Sequence, residues 1–288
     1  MPNLLEMPPE IMQEIVDFVG CPEIFTLRNV CHDLRNFVDN IKPNFRLQKL
    51  GWTISSETMT IDCEQNDKKY SIKYDKSDQD QFFKMMEPIL KFQKSTLTIF
   101  GTTDQSPIPG FYDKMKRILE SRPSPLKVFE LSMRCAYQYQ IQSILSTLEP
   151  GTLERIWLDG RHFESLKFHK IVGLEQWKSA NTLHVHTFTV HAPLTDFGNF
   201  KRVFALFGSV DWEDLDSLRE IFLSNPETKR LFYIYHWGLN GWDEWRESLG
   251  PAINEDDGEP EWRFRYPNSD RTLRIAEFYD RIVFESLD

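Results

Sequence analysis

Cysteine is scarce in this chain. Cys21, Cys31, Cys63 and Cys135 are the four in 288 residues, and none sits in a CxxC pair. Three of them lie inside apolar patterns, so buried free thiols in a reducing compartment are expected. An excess of positive charge is missing too. The 34 Lys and Arg are outnumbered by 44 Asp and Glu, giving a net charge of −10 and an isoelectric point near 5.3. With no basic stripe and no run of Lys and Arg, binding to a nucleic-acid backbone is not expected. No apolar run approaches the roughly eighteen residues of a membrane span. The first residues, MPNLLEMPPE, lack the basic start and apolar centre of a signal peptide, so cytosolic or nuclear residence is expected by elimination. No GxSxG, P-loop, GxGxxG or HExxH pattern occurs, and neither an enzyme nor a cofactor is expected.

Apolar surface, by contrast, is plentiful. Hydrophobic residues make up 40% of the chain and aromatic residues 14%, enough for a buried core and too much for wholesale disorder. The length suits two domains or one large one. The densest patterning lies in residues 4–40. Pro8 and Pro9 suit a first helical turn, where a fixed φ and a missing N–H are tolerated. Two adjacent stripes follow: Ile11, Ile15 and Phe18, and beside them Met12, Val16 and Val19. That face is wider than a solvated helix of a small domain carries. Gly20 is expected to end the helix at positive φ. Pro22 opens a short second helix, and a third follows near Cys31. Across these two, Ile24, Leu27, Cys31, Leu34 and Val38 recur at steps of three and four, widened by Val30 and Phe37. Forty residues cannot bury so much apolar surface by themselves. The pattern leaves two readings open: the helices dock on the rest of the chain, or part of the face belongs to another protein.

A resemblance decides between them. The segment resembles an F-box, through Leu5-x-Met7-Pro8-x-Glu10-Ile11 at its front and Leu27-Arg28-x-Val30-Cys31-x-x-Leu34-Arg35 at its back. The second half is similar to the version common among nematode F-box proteins. The resemblance implies that this face packs on a Skp-type adaptor and, through it, joins a cullin ubiquitin ligase. The implied contacts are Leu5, Pro8, Ile11, Ile15, Leu27, Arg28, Val30, Cys31 and Leu34.

Residues 41–52 read as a connector, because Pro43 bars helix and Gly51 allows a turn. Residues 58–63 and 70–74 alternate as the strands of a β-hairpin, with Asn66 and Asp67 able to take positive φ between them. Residues 81–92 read as a helix with Phe82, Met85, Met86 and Ile89 inward. An internal repeat comes next: TLTIF from Thr96, PLKVF from Pro125, TLERI from Thr152 and TLHVH from Thr182. Helical patterns at 111–120, 139–148 and 174–180 separate these runs. Strand–helix units at a period of about thirty residues predict an α/β fold, an irregular leucine-rich-repeat-like solenoid with a parallel sheet on one face and helices on the other. Further strands are expected at 203–207, 230–235, 262–266 and 281–284. Asp211 should cap a helix running to about Ser224, and residues 254–260 form an acidic loop.

Here a second resemblance enters. Leu148-x-Pro150-Gly151-Thr152-Leu153, followed by Leu174-Glu175-Gln176-Trp177-Lys178-x-Ala180, is similar to the FTH domain, which follows the F-box in a large group of Caenorhabditis proteins. It extends loosely over residues 95–284 and implies a protein-interaction role without catalysis. The expected division is an F-box at 1–42, a connector with hairpin and helix at 43–92, and an FTH-like α/β repeat domain at 93–288.

Candidate chemistry is sparse. His184 and His186 are two apart on a strand and share a face, but no carboxylate or thiolate is placed to complete a metal shell. They are read as a polar, solvent-facing row, with no metal. Trp237, Trp242 and Trp245 crowd one short segment just after a strand, either as interface anchors or as a plug closing the core. Target contacts are expected on loops after the strands, at Trp157, Asp159, Arg161, Trp237, Trp242 and Trp245. The expected function is substrate recognition within a Skp–cullin–F-box ubiquitin ligase, the F-box holding the adaptor and the repeat domain an unidentified target protein. The alternative is an adaptor-binding scaffold that tethers a partner, such as an RNA-binding protein, without directing ubiquitination.

Overall fold

The computed structural model describes residues 6–41, 43, 45–104, 108–135, 137–253 and 259–288, without the side chains of Asp17, Pro22, Asp104 and residues 161–164. The chain forms two compact units. One comprises Met1–Glu130 with Thr147–Glu149, the other Leu131–Ser146 with Pro150–Asp288. Leu5 and the acidic residues 254–258 lie outside the described residues.

The first unit opens with α1 (Pro9–Phe18), α2 (Cys21–Val30) and α3 (His32–Ile41). Proline stands in the first turn of both α1 and α2, as the sequence leads one to expect. Gly20 does not take the left-handed conformation. It lies at φ −77° and serves as the N-cap of α2, so α1 ends in extended backbone at Val19. Strands β1 (Lys49–Ile54), β2 (Thr58–Gln65) and β3 (Lys68–Asp75), helix α4 (Gln79–Phe92), strand β4 (Leu97–Asp104) and helix α5 (Phe111–Glu120) follow. The strands lie in the order β4-β1-β2-β3. Asn66 and Asp67, at φ 51° and 62°, make the two-residue turn of the β2–β3 hairpin.

Strand β1 corrects the reading of residues 41–52 as a connector. It pairs antiparallel with β2 and parallel with β4, burying Leu50, Trp52 and Ile54 on one face. Gly51 hides the strand in the sequence, because glycine in a short run signals a turn. Here glycine serves close approach instead: a Cβ at Gly51 would stand 2.7 Å from the carbonyl oxygen of Gly101 on β4. Gly51→Ala should therefore cost about 1–3 kcal/mol, the range for overpacking, measurable as a lowered urea midpoint.

Strand β5 (Val128–Arg134) begins in the first unit and ends in the second. The second unit continues with α6 (Gln138–Leu145), β6 (Arg155–Lys167), α7 (Glu175–Ser179), β7 (Thr182–His191), a 3-10 helix (Leu194–Phe197), β8 (Arg202–Phe207), β9 (Val210–Asp211) and α8 (Trp212–Leu223). Then come β10 (Leu231–His236), β11 (Leu239–Asn240), α9 (Trp242–Leu249), β12 (Glu261–Arg265), β13 (Thr272–Phe278) and β14 (Arg281–Leu287). Its sheet runs β12-β13-β14-β10-β8-β7-β6. Strands β6, β7, β8 and β10 are parallel neighbours, whereas β14, β13 and β12 form an antiparallel meander. The fold is thus α/β with a mixed sheet, not a uniform parallel array.

Side chains alternate across the parallel strands. One face is covered: Ile156, Leu158, Leu183, Val185, Val203, Ala205, Phe207, Phe232 and Ile234 are all buried. Phe222 of α8 packs on Phe232 and Phe284, with ring centroids 5.1 and 5.6 Å away. Trp177 of α7 is fully buried among Phe168, Phe197 and Phe200. Asp211 occupies the N-cap position of α8 but makes no capping bond. Its carboxylate accepts from Asn240 Nδ2 at 2.7 Å instead.

Candidate partner-binding surfaces

The two apolar stripes of α1 have opposite fates. Met12 and Val16 are buried, while Ile11 is exposed, Ile15 is half-buried and Phe18 is 92% exposed. With exposed Pro8, the residues at 8, 11, 15 and 18 form one face of the helix by their 3.6-residue period. At the end of α2, Val30 is 64% exposed and Cys31, beyond it, is also open. Exposed apolar side chains are thus gathered on one side of α1 and at the end of α2.

The inner side of these helices is fixed to the first unit. Cys21 N donates to Gln65 Oε1 at 3.0 Å, and Phe25 stacks on Phe45 at 5.7 Å. A hydrogen bond to the Cys63 thiol, helped by burial, pushes the Cys21 thiol well up, so it stays protonated. Arg28 grips Asp39 with both arms, at 2.8 and 3.0 Å, tying α2 to α3. Among the described residues all four cysteines are free, and Cys31 departs from the expected burial.

In the second unit the uncovered sheet face carries a row of rings. Trp157 on β6 is opposite His184 on β7, His184 opposite Phe204 on β8, and Phe204 opposite Tyr233 on β10. Successive ring centroids lie 4.4, 4.4 and 4.9 Å apart, with planes 13°, 7° and 12° from parallel. His186 also stacks on Trp157, at 4.9 Å. Where β6 and β7 slip register, Thr187 adopts φ 56°, a strained conformation for a β-branched residue. Its hydroxyl offsets this by accepting from Gly160 N at 2.8 Å and meeting Asp159 Oδ1 at 2.6 Å. The other Asp159 oxygen takes Arg134 Nε at 2.6 Å. Trp237 is 66% exposed just beyond β10.

Comparison with known families places these two surfaces. Residues 4–46 match the F-box domain and residues 109–240 match the FTH domain. The chain carries an F-box followed by an FTH domain. No curated protein and no solved structure matches it. Among the described residues, no helix is long and apolar enough to cross a membrane, and no group of three or more His, Cys, Asp and Glu is placed to hold a metal ion.

Within the F-box, the sequence-derived contacts separate by exposure. Pro8, Ile11, Val30 and Cys31 are exposed, and Ile15 and Leu27 are half-buried. Leu34 is buried inside the first unit, and the Arg28 guanidinium is committed to Asp39. These two support the surface from beneath and do not face outward. Phe18 is 92% exposed on the same helix face as Ile11 and Ile15. It completes the stripe of positions 8, 11, 15 and 18.

In the second unit, Trp157 is 40% exposed and Asp159 is engaged by Arg134 and Thr187. The Arg161 side chain lies outside the description. Trp242 is half-buried. Trp245 is a correction to the target-contact reading: it is fully buried on α9, packed between Trp242 and Trp262 at 5.8 and 5.9 Å.

His184 is not a plain solvent-facing residue, since both its ring faces are covered. Burial, with His186 and Arg155 nearby, lowers its pKa to about 4. The unfolded chain takes up this proton at about pH 6.5. His184 therefore contributes stability that is complete above that pH and lost as pH falls towards 4. Melting temperatures of wild type and His184→Phe should diverge over that window, with the wild type falling more steeply.

Proposed function

We propose that this protein is a substrate-recognition subunit of a Skp–cullin–F-box ubiquitin ligase. The observation that carries the reading is the open stripe Pro8, Ile11, Ile15 and Phe18, set beside the buried stripe of Met12 and Val16 on one helix. In this reading the F-box of residues 1–42 binds a Skp-type adaptor. Residues 43–92 connect it to the FTH-like region, 93–288, whose parallel strands act as an irregular leucine-rich-repeat-like platform for a target protein. No bond chemistry is assigned to the chain. It raises the concentration of target beside the ligase machinery, an effect of tethering. Co-purification of the full chain should recover the adaptor and a cullin, and depletion of the adaptor should lengthen the half-life of the bound target. Recovery of the adaptor with unchanged target half-life would instead favour the scaffold that tethers a partner without directing ubiquitination.

A further inference from the structure

We propose that the first unit holds a binding pocket for a small organic anion with an apolar body, placed where α2 and α3 meet β3 and α4. The site goes beyond the ligase reading and does not depend on it. It uses neither the open stripe of α1 nor the ring row of the second unit.

The cavity has a volume of about 610 Å³, inside the range of roughly 300–1,000 Å³ for small-molecule sites. Three helices and a strand, all in the first unit, contribute to its wall. Such an enclosure suits a compact molecule better than a long extended segment. Its interior is apolar: Phe25 and Pro88 are buried, and Tyr74, Met85 and Phe92 are half-buried around them. Burial pushes the Tyr74 phenol up from its usual value, so it stays protonated and keeps a hydrogen to donate.

Charge selects the occupant. Four cations and two carboxylates line the cavity, and both carboxylates are engaged within the chain. Asp39 accepts from both arms of Arg28, and Glu87 accepts from Lys91 Nζ at 2.6 Å. Asp80, one turn before Lys84 on α4, meets Lys114 at 3.6 Å. The two remaining cations are Arg35 on α3 and Lys84 on α4, both exposed. Arg35 donates its Nε to the carbonyl oxygen of Arg28, another lining residue, at 3.2 Å. That bond holds the guanidinium at the cavity and leaves its terminal nitrogens to a ligand. In a chain of net charge −10, the cavity is a local positive site. An acidic group between Arg35 and Lys84 gains charge-assisted hydrogen bonds, while a hydrocarbon body fills the space over Phe25 and Met85. A neutral molecule of the same shape gains only the second part.

Calorimetric titration of the full chain with naphthoate and with its neutral counterpart naphthamide tests the site, because the two probes share one apolar body and differ in charge. The wild type should bind one naphthoate per chain, about tenfold more tightly than the amide or better. Arg35→Gln/Lys84→Gln should erase that preference by weakening the acid and sparing the amide. Both side chains are exposed, and an unchanged melting curve checks that the double variant folds. Lys84→Gln alone should lose part of the preference. A third probe, a blocked Phe-Glu-Phe peptide, carries the same acidic group on a polypeptide. Equal affinity for acid and amide, a preference that survives in the double variant, or no binding at millimolar naphthoate would overturn the proposal. Tighter binding of the peptide than of naphthoate would overturn the small-molecule occupant.

Discussion

Replacing Trp245 with alanine should lower the stability of the second unit by about 3–5 kcal/mol, the cost of emptying a buried aromatic site. The indole is fully buried and fills the space between α9 and β12. Its neighbours Trp242 and Trp262 are large and rigid, and Trp262 is held in place by a hydrogen bond from Nε1 to Gly250 O at 2.9 Å. The site therefore collapses poorly around a cavity. The Trp245 indole nitrogen has no hydrogen-bond partner among the described residues, so Trp245→Phe loses volume without losing a polar contact and should cost much less. Trp237→Ala should leave stability nearly unchanged, since that ring is mostly in solvent. Urea denaturation of the three variants checks this order. Equal midpoints for Trp245→Ala and wild type would mean that α9 does not close the core as described.

The same tryptophan shows where the sequence stops being legible. In the sequence Trp237, Trp242 and Trp245 form a single segment that leaves interface and core both open. The period of a helix starting at Trp242 sends Trp245 inward, while Trp237 lies before that helix, but two glycines and the short length of α9 hid the period. Strand β1 was hidden by Gly51, whose role depends on how closely β4 approaches. Strand β13 carries Arg274 and Glu277, whose charges are matched by Glu261, Glu285 and Arg246, so its apolar pattern is interrupted. By contrast, helices α1 to α5 and the β2–β3 hairpin were legible, because prolines, Asn66-Asp67 and apolar spacing act locally. The sheet-face ring row was not. Trp157, His184, Phe204 and Tyr233 are distant in sequence and meet through register, which no local pattern encodes.

The largest functional effect is expected from Phe18→Asp combined with Val30→Asp. Both side chains are exposed in the chain alone, so the substitutions leave no cavity and should not lower its melting temperature. In a complex, each aspartate would be buried without a partner, and loss of two central apolar contacts should weaken adaptor binding about a hundredfold or more. Met12→Asp is the contrasting variant. Met12 is buried, so that change should disrupt the packing of α1 and lose binding together with stability.

Calorimetric titration of the purified full chain with a Skp-type adaptor tests the central claim most directly. The wild type should bind saturably, one adaptor per chain, and Phe18→Asp/Val30→Asp should lose that binding while melting at the wild-type temperature. A wild-type chain that gives no binding, or a double variant that binds as tightly as the wild type, would contradict the account.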